Sequence, residues 1–359
     1  MKKNYLFLLL WLFCACACHA QDNVISFSDP RIHYMGRIVT RDNSAELSWT
    51  ATTVTISFDG TGIQALLRDE RGDNYYNIVV DGKLTMILHP DKDKRLYTLA
   101  SGLPPGVHSL ELFRRTEWAM GKTWLYGLLP DAHTTLLPAP PAPTRKIEFY
   151  GNSITCGYAV EDSSGKDRGT APYENAYVAY ASITARHFNA DYHCVTKSGI
   201  GILISWFPLI MPEMWDRADA TDSLSKWDFT QWTPDVVVIN LFQNDAWLTN
   251  MPDHEQFKAR FGKTAPDTNT IVRAYRKFVQ GVREKYPRAS IICMLGNMDA
   301  SKAGAPWPGY IQKAVGLLGD KNIYTLIVPF KGTPGHPNIA EQKVLADTLT
   351  SFIDKHIDW

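Results

Sequence analysis

Two hydrophobic rhythms divide this chain. From about Asn23 to His133, short runs of β-type residues are broken by turn signals. Thr53 to Phe58 alternates and ends at Asp59-Gly60, Tyr75 to Val80 ends at Asp81-Gly82, and His108 to Phe113 follows Pro104-Pro105-Gly106. Such runs, with no helical periodicity between them, predict an antiparallel sandwich of jelly-roll type. The segment Leu137-Pro138-Ala139-Pro140-Pro141-Ala142-Pro143 then reads as a stiff extended linker, because proline fixes φ and turns the preceding residue away from helix.

Past the linker the rhythm changes. Apolar strands are predicted at Lys146 to Tyr150, Tyr192 to Thr196, Val236 to Leu241, Ile291 to Leu295 and Tyr324 to Val328. Helical spacing falls between or after them, at Ala176 to Phe188, at Ile271 to Lys285 and at Ile339 to Ile353. Strands buried on both faces and alternating with helices predict a parallel five-stranded sheet in a three-layer α/β domain. The expected organisation is a leader over 1–20, a β-sandwich over 21–136, a linker over 137–145 and the α/β domain over 146–359.

Composition narrows the partners. Lys plus Arg and Asp plus Glu number 37 each, so no net field draws the chain to nucleic acid or to an anionic membrane. Lys2, Lys3, the apolar run Tyr5 to Phe13 and the small residues before Gln21 read as a secretory signal cleaved near Ala20, implying a secreted or periplasmic protein. A lipid anchor on Cys14, Cys16 or Cys18 is the lesser alternative. No later segment is long and apolar enough to span a membrane. The remaining cysteines, Cys156, Cys194 and Cys293, give no disulfide framework, and no Cys/His cluster has zinc spacing. No metal or cofactor is expected, and a monomer is.

In a parallel sheet the ligand site lies at the carboxyl ends of the strands. Four of those loops carry reactive groups: Gly151-Asn152-Ser153, Lys197-Ser198-Gly199, Gln243-Asn244-Asp245 and Gly335-His336-Pro337. Ser153, at a strand-to-helix turn, is the nucleophile candidate, and it needs a base because a free hydroxyl is hardly ionised near neutral pH. His336 is the best placed of the histidines, although a histidine there also reads as a surface cap. The N–H groups of Ser153 and Gly199 and the side-chain amide of Asn244 are candidate oxyanion donors. Gly199 also reads as a plain turn, and Asn244 as a turn or cap residue. Trp247 and Trp307 are candidates for an aromatic wall against a sugar, Trp307 on a lid loop; both also suit ordinary packing. The long stretch from Trp206 to Trp232 reads equally as part of the cleft or as domain-interface cover.

Ser153, Gly199, Asn244 and His336 occur in the order and contexts of the four blocks of the SGNH (GDSL-like) hydrolases. The run Ile147-Glu148-Phe149-Tyr150-Gly151-Asn152-Ser153-Ile154-Thr155-Cys156-Gly157-Tyr158 resembles carbohydrate esterase family two. Tyr34-Met35-Gly36-Arg37-Ile38, Arg115-Thr116-Glu117 and Ser198-Gly199-Ile200-Gly201 extend the likeness over essentially the mature chain. The resemblance implies a jelly roll followed by an SGNH domain. It also implies removal of O-acetyl groups, often at the 6-position, from plant-type polysaccharides or oligosaccharides, as in acetyl xylan esterases. Ser153 would be nucleophile, His336 general base, and Ser153, Gly199 and Asn244 the oxyanion donors. The chain departs from the common pattern twice. Asn152 replaces the usual aspartate, and Thr333 and Pro334 stand where the acid that orients the histidine is expected. The expectation is therefore a Ser153–His336 dyad held by main chain. Two other readings are a feeble hydrolase retained for glycan binding, and an esterase for lipid or other non-carbohydrate acyl groups.

Overall fold

The structure, a computed structural model, describes residues 24–359; the expected leader and the cysteines at 14, 16 and 18 lie outside the described residues. Residues 25–136 form two antiparallel sheets. One runs in the order 39–41, 44–47, 123–130, 63–69, 95–100, and the other in the order 135–136, 53–59, 107–114, 76–80, 83–88. Their inward positions interdigitate in one apolar core containing Ile56, Phe58, Leu67, Tyr76, Ile78, Leu110, Leu112 and Leu125.

The second half is a parallel sheet of five strands in the order 190–196, 145–151, 236–240, 290–295, 323–327. Alternation along the strands serves two separate layers. Tyr150, Val237, Ile239, Ile291 and Cys293 face helices α5 (Thr268–Lys285) and α6 (Trp307–Gly316). Ile147, Phe149, Val238, Ile292 and Met294 face α2 (Tyr180–His187) and α7 (Ile339–His356). The strand order reverses between 145–151 and 236–240, so the crevice at their carboxyl ends is the expected ligand position. Cys156, Cys194 and Cys293 are buried and free. Among the described residues no helix is long and apolar enough to cross a membrane.

The helix expected over Ala176 to Phe188 is split. Asn175 caps a short 3-10 turn, 176–178, Ala179 is extended, and the N–H of Tyr180 is taken by Gln342 Oε1 at 2.9 Å instead of by its own helix.

The stretch 137–145 joins the halves, yet they do not hang from it. Arg37 of the sandwich is completely buried and donates to the carbonyls of Trp215 (2.7 Å) and Arg217 (2.8 Å), to Glu148 (2.8 Å) and to Tyr150 Oη (3.3 Å). Trp49 Nε1 donates to the Ala218 carbonyl at 2.8 Å, and Lys122 pairs with Asp219 at 2.9 Å. Removing one member of a buried pair such as Arg37–Glu148 costs about 3–5 kcal/mol, because the other charge stays desolvated and alone. The middle of the stretch 206–232, around Trp215 to Asp219, is thus domain-interface cover. The quoted motifs around Arg37 and Arg115 are joints between halves: Arg115 reaches Glu161 and Asn77.

Candidate active site

Strand 145–151 runs straight into α1 (Ser153–Cys156), and the turn is tight enough that a Cβ on Gly151 would lie 2.0 Å from Thr155 Oγ1. Asn152 is the N-cap and accepts the Ile154 N–H at 3.1 Å. Asparagine therefore performs the local capping task of an aspartate without the charge. Ser153 is the first helical residue, with only 5% of its surface exposed.

His336 Nε2 lies 2.8 Å from Ser153 Oγ. Its other nitrogen does not rely on main chain, which corrects the dyad expectation. The Asp167 carboxylate lies 3.0 Å and 2.9 Å from Nδ1 and also accepts the His336 backbone N–H at 2.9 Å. The carbonyls of Thr333 and Pro334 instead accept from the Lys331 ammonium at 3.0 Å and 3.1 Å. Burial pushes the Asp167 carboxyl upward, but the hydrogen bond and charge of His336, helped by Lys331, bring it below the ordinary carboxylate range. An ionised Asp167 fixes the Nδ1–H tautomer and leaves the Nε2 lone pair toward the serine.

Asp167 comes from the polar loop after α1, 169 positions before the histidine, so no spacing rule connects them. Two local features fit it into place. Asp167 sits in the left-handed region, φ 55°, and so does Gly335, φ 70°, whose absent Cβ would meet Asp167 Cγ at 3.1 Å. Tyr158 packs on the imidazole with ring centroids 4.5 Å apart.

The three expected oxyanion donors all lie on loops or helix starts at the carboxyl end of the sheet. The N–H groups of Ser153 and Gly199 donate to no protein acceptor among the described residues. Gly199 (φ 81°) occupies the third position of a turn closed by Ile200 N–H to the Lys197 carbonyl at 3.3 Å, where a positive φ is required. Asn244, on α3 (Gln243–Leu248), accepts the Trp206 indole N–H on Oδ1 at 3.0 Å and donates from Nδ2 to the Ile200 carbonyl at 2.8 Å. An indole can only donate, so the amide orientation is determined and one N–H is left to point elsewhere. Next to it, Asp245 accepts the N–H groups of Ile202, Leu203 and Ile204 at 3.0, 2.7 and 3.3 Å, binding the loops after two strands together. Burial pushes the Asp245 carboxyl up to about 6 against those three donors.

The two tryptophans part company. Trp247 lines a cleft of about 370 Å³ with His336, Asp167, Met298, Lys302 and Phe330, its indole donating to Asp299 at 3.0 Å. Trp307 is not on a lid: it is 5% exposed at the start of α6 and packs on Phe242, centroids 5.0 Å apart. Phe242 needs that support, since a buried aromatic at φ 83° holds strained backbone at the turn into α3. Trp206, which the sequence marks only as the start of a stretch reading equally as cleft or interface cover, is 41% exposed and in contact with both Gly199 and Asn244.

Comparison with known proteins finds matches to both halves. The family description "Carbohydrate esterase 2 N-terminal" matches residues 34–140, and "GDSL-like Lipase/Acylhydrolase family" matches residues 149–322. A solved family two carbohydrate esterase from Clostridium thermocellum, in complex with cellohexaose, is 32% identical with a TM-score of 0.79, over 90% of this chain and 98% of that one. The chain belongs to the family two carbohydrate esterases. It is also 32% identical to the cellulase/esterase CelE of Acetivibrio thermocellus over 92% of this chain, but spans only 40% of that protein's length. An acetylxylan esterase / glucomannan deacetylase of Cellvibrio japonicus is 24% identical over 94% of this chain and 92% of its own. The parallel sheet and sandwich of this family two esterase are those of its relatives, and its chemistry is that of a carboxylic ester hydrolase.

Proposed function

We propose that this esterase removes acetyl groups from plant-type polysaccharides or oligosaccharides through an acyl-enzyme on Ser153, and that it is exported to do so. The observation that carries the reading is the unbroken sequence Ser153 Oγ, His336 Nε2, His336 Nδ1, Asp167, with separations of 2.8 and 2.9 Å. His336 takes the hydroxyl proton as Oγ bonds to the acetyl carbon. The negative oxygen that forms is met by the N–H groups of Ser153 and Gly199 and by the Asn244 amide. Collapse breaks the bond to the sugar oxygen, which leaves with the proton from His336. Water then adds to the acetyl-serine, giving its proton to His336, and acetate departs as Oγ recovers a proton.

The recess supports one substrate position over others. A serine 5% exposed suits an ester on an exocyclic primary carbon, which reaches further from the sugar ring than a ring ester, so the 6-position is favoured. Trp247 offers one wall of the cleft to an apolar sugar face. The relatives' names, acetylxylan esterase and glucomannan deacetylase, support the class of substrate. A hydrolase decayed into a glycan-binding module loses its ground, since the acid thought missing has a counterpart in Asp167. The test is acetate release from acetylated xylan and glucomannan, with product regiochemistry by NMR. Ser153→Ala abolishes release; a variant that retains wild-type turnover ends the proposal.

A further inference from the structure

Glu117 belongs to the sandwich, yet its side chain ends in the hydrolase half. It lies just after strand 107–114, is 3% exposed, and its Oε2 accepts the Ser198 N–H at 2.9 Å. Ser198 is the second residue of the turn whose third, Gly199, has an N–H with no protein acceptor among the described residues. We propose that Glu117 is a positioning residue, supplied by the sandwich, which anchors the Lys197–Ser198 peptide and so holds in place the turn that aims the Gly199 N–H at the oxyanion. The inference rests on the acyl-serine reading above.

The construction behind Glu117 is more than one hydrogen bond needs. Arg114, fully buried, donates to the Thr116 carbonyl at 2.8 Å and to the Glu117 carbonyl at 3.1 Å, while Thr116 Oγ1 donates to Asn74 at 2.7 Å. The Glu117 backbone N–H is taken by Glu174, whose carbonyl in turn accepts from Arg115. Glu174 is wholly buried and its second oxygen has no partner among the described residues. Lys197, the residue before Ser198, lies over the rings of Trp118 and Phe207 at 4.1 and 4.5 Å, so the turn is gripped on both sides. The turn can deliver an N–H to a fixed point only if the peptide leading into it is itself fixed, and the acceptor on the Ser198 N–H supplies that anchor. Preorganised donors of this kind carry much of the rate in acyl transfer.

The test is a series at position 117, read with 4-nitrophenyl acetate and with phenylboronic acid as a tetrahedral mimic. Glu117→Ala lowers kcat roughly 10- to 100-fold, short of the loss of a whole donor. KM moves less than twofold, and boronate inhibition weakens in proportion to kcat. Glu117→Asp, which keeps charge but withdraws the acceptor by one methylene, shows the same pattern and serves if the alanine variant does not fold. Glu117→Gln, which retains an acceptor oxygen, stays within about threefold of wild type, the spread of a preserved neutral hydrogen bond. The proposal is overturned if the aspartate variant, folded by melting temperature, keeps wild-type kcat, or if the losses appear in KM. Turnover surviving in Ser153→Ala would instead remove the acyl-serine reading, and this proposal with it.

Discussion

Asp167→Asn separates a histidine held by a carboxylate from one held by main chain. The native carboxylate has two tasks at once: it accepts Nδ1–H within 3.0 Å through both oxygens and the His336 backbone N–H at 2.9 Å through one. An amide keeps one oxygen, which the backbone N–H claims. The remaining NH2 then faces Nδ1 and donates to it, forcing the ring proton onto Nε2, the atom 2.8 Å from Ser153 Oγ. The base is occupied before the reaction starts. A wrong tautomer of this kind costs roughly 10⁴ in turnover in a serine triad, about 5 kcal/mol at 1.36 kcal/mol per tenfold. Asp167→Ala imposes no wrong tautomer and loses less. The assay is kcat on 4-nitrophenyl acetate from pH 6 to 9, with melting temperature recorded for each variant. A folded Asp167→Asn within tenfold of wild type refutes the carboxylate account and restores orientation by main chain.

The two tryptophans should separate in kinetics as they do in space. Trp247→Ala raises KM for acetylated oligosaccharides several-fold with little change on 4-nitrophenyl acetate, whereas Trp307→Ala lowers stability by about 3–5 kcal/mol in urea titration, the range for a large aromatic lost from a core. Glu174 predicts a pH effect. Burial, reinforced by Glu117, holds its carboxyl well above the ordinary glutamate range, against the pull of Arg114 and Lys197; Cys156 lies close by as well. The folded state therefore keeps a proton that the unfolded state releases, and stability falls as pH rises from the ordinary glutamate range through the raised one. Glu174→Gln removes that slope, and urea melts between pH 5 and 9 that run parallel for the two proteins would contradict it.

The broad design was legible because two periodicities occupy separate halves, and because the carboxyl-end rule turns a list of strands into a list of loops. Ser153 and His336 are found that way and lie within hydrogen-bond distance, and Asn244, found the same way, bonds the turn that contains Gly199. Three things were not legible. Asp167 lies in a polar loop among other acidic residues, and what marks it is a left-handed backbone fitted against Gly335, which has no one-dimensional trace. Trp307 looked like a lid residue because its neighbours are Pro and Gly, but those residues begin a helix and the indole turns inward to brace Phe242. The stretch 206–232 was ambiguous because its interface partners, Arg37, Trp49 and Lys122, are more than 80 positions away.

Housing the acid on one loop and the base on another divides labour between segments. Thr333 and Pro334, relieved of carrying a carboxylate, line the cleft beside His336. Their side chains can be exchanged where Lys331 keeps its hold, which at position 333 calls for a hydroxyl, because Thr333 Oγ1 bonds both Lys331 and Glu341. In this esterase the pair is a place where substrate preference can drift, or be engineered, while the catalytic groups stay constant.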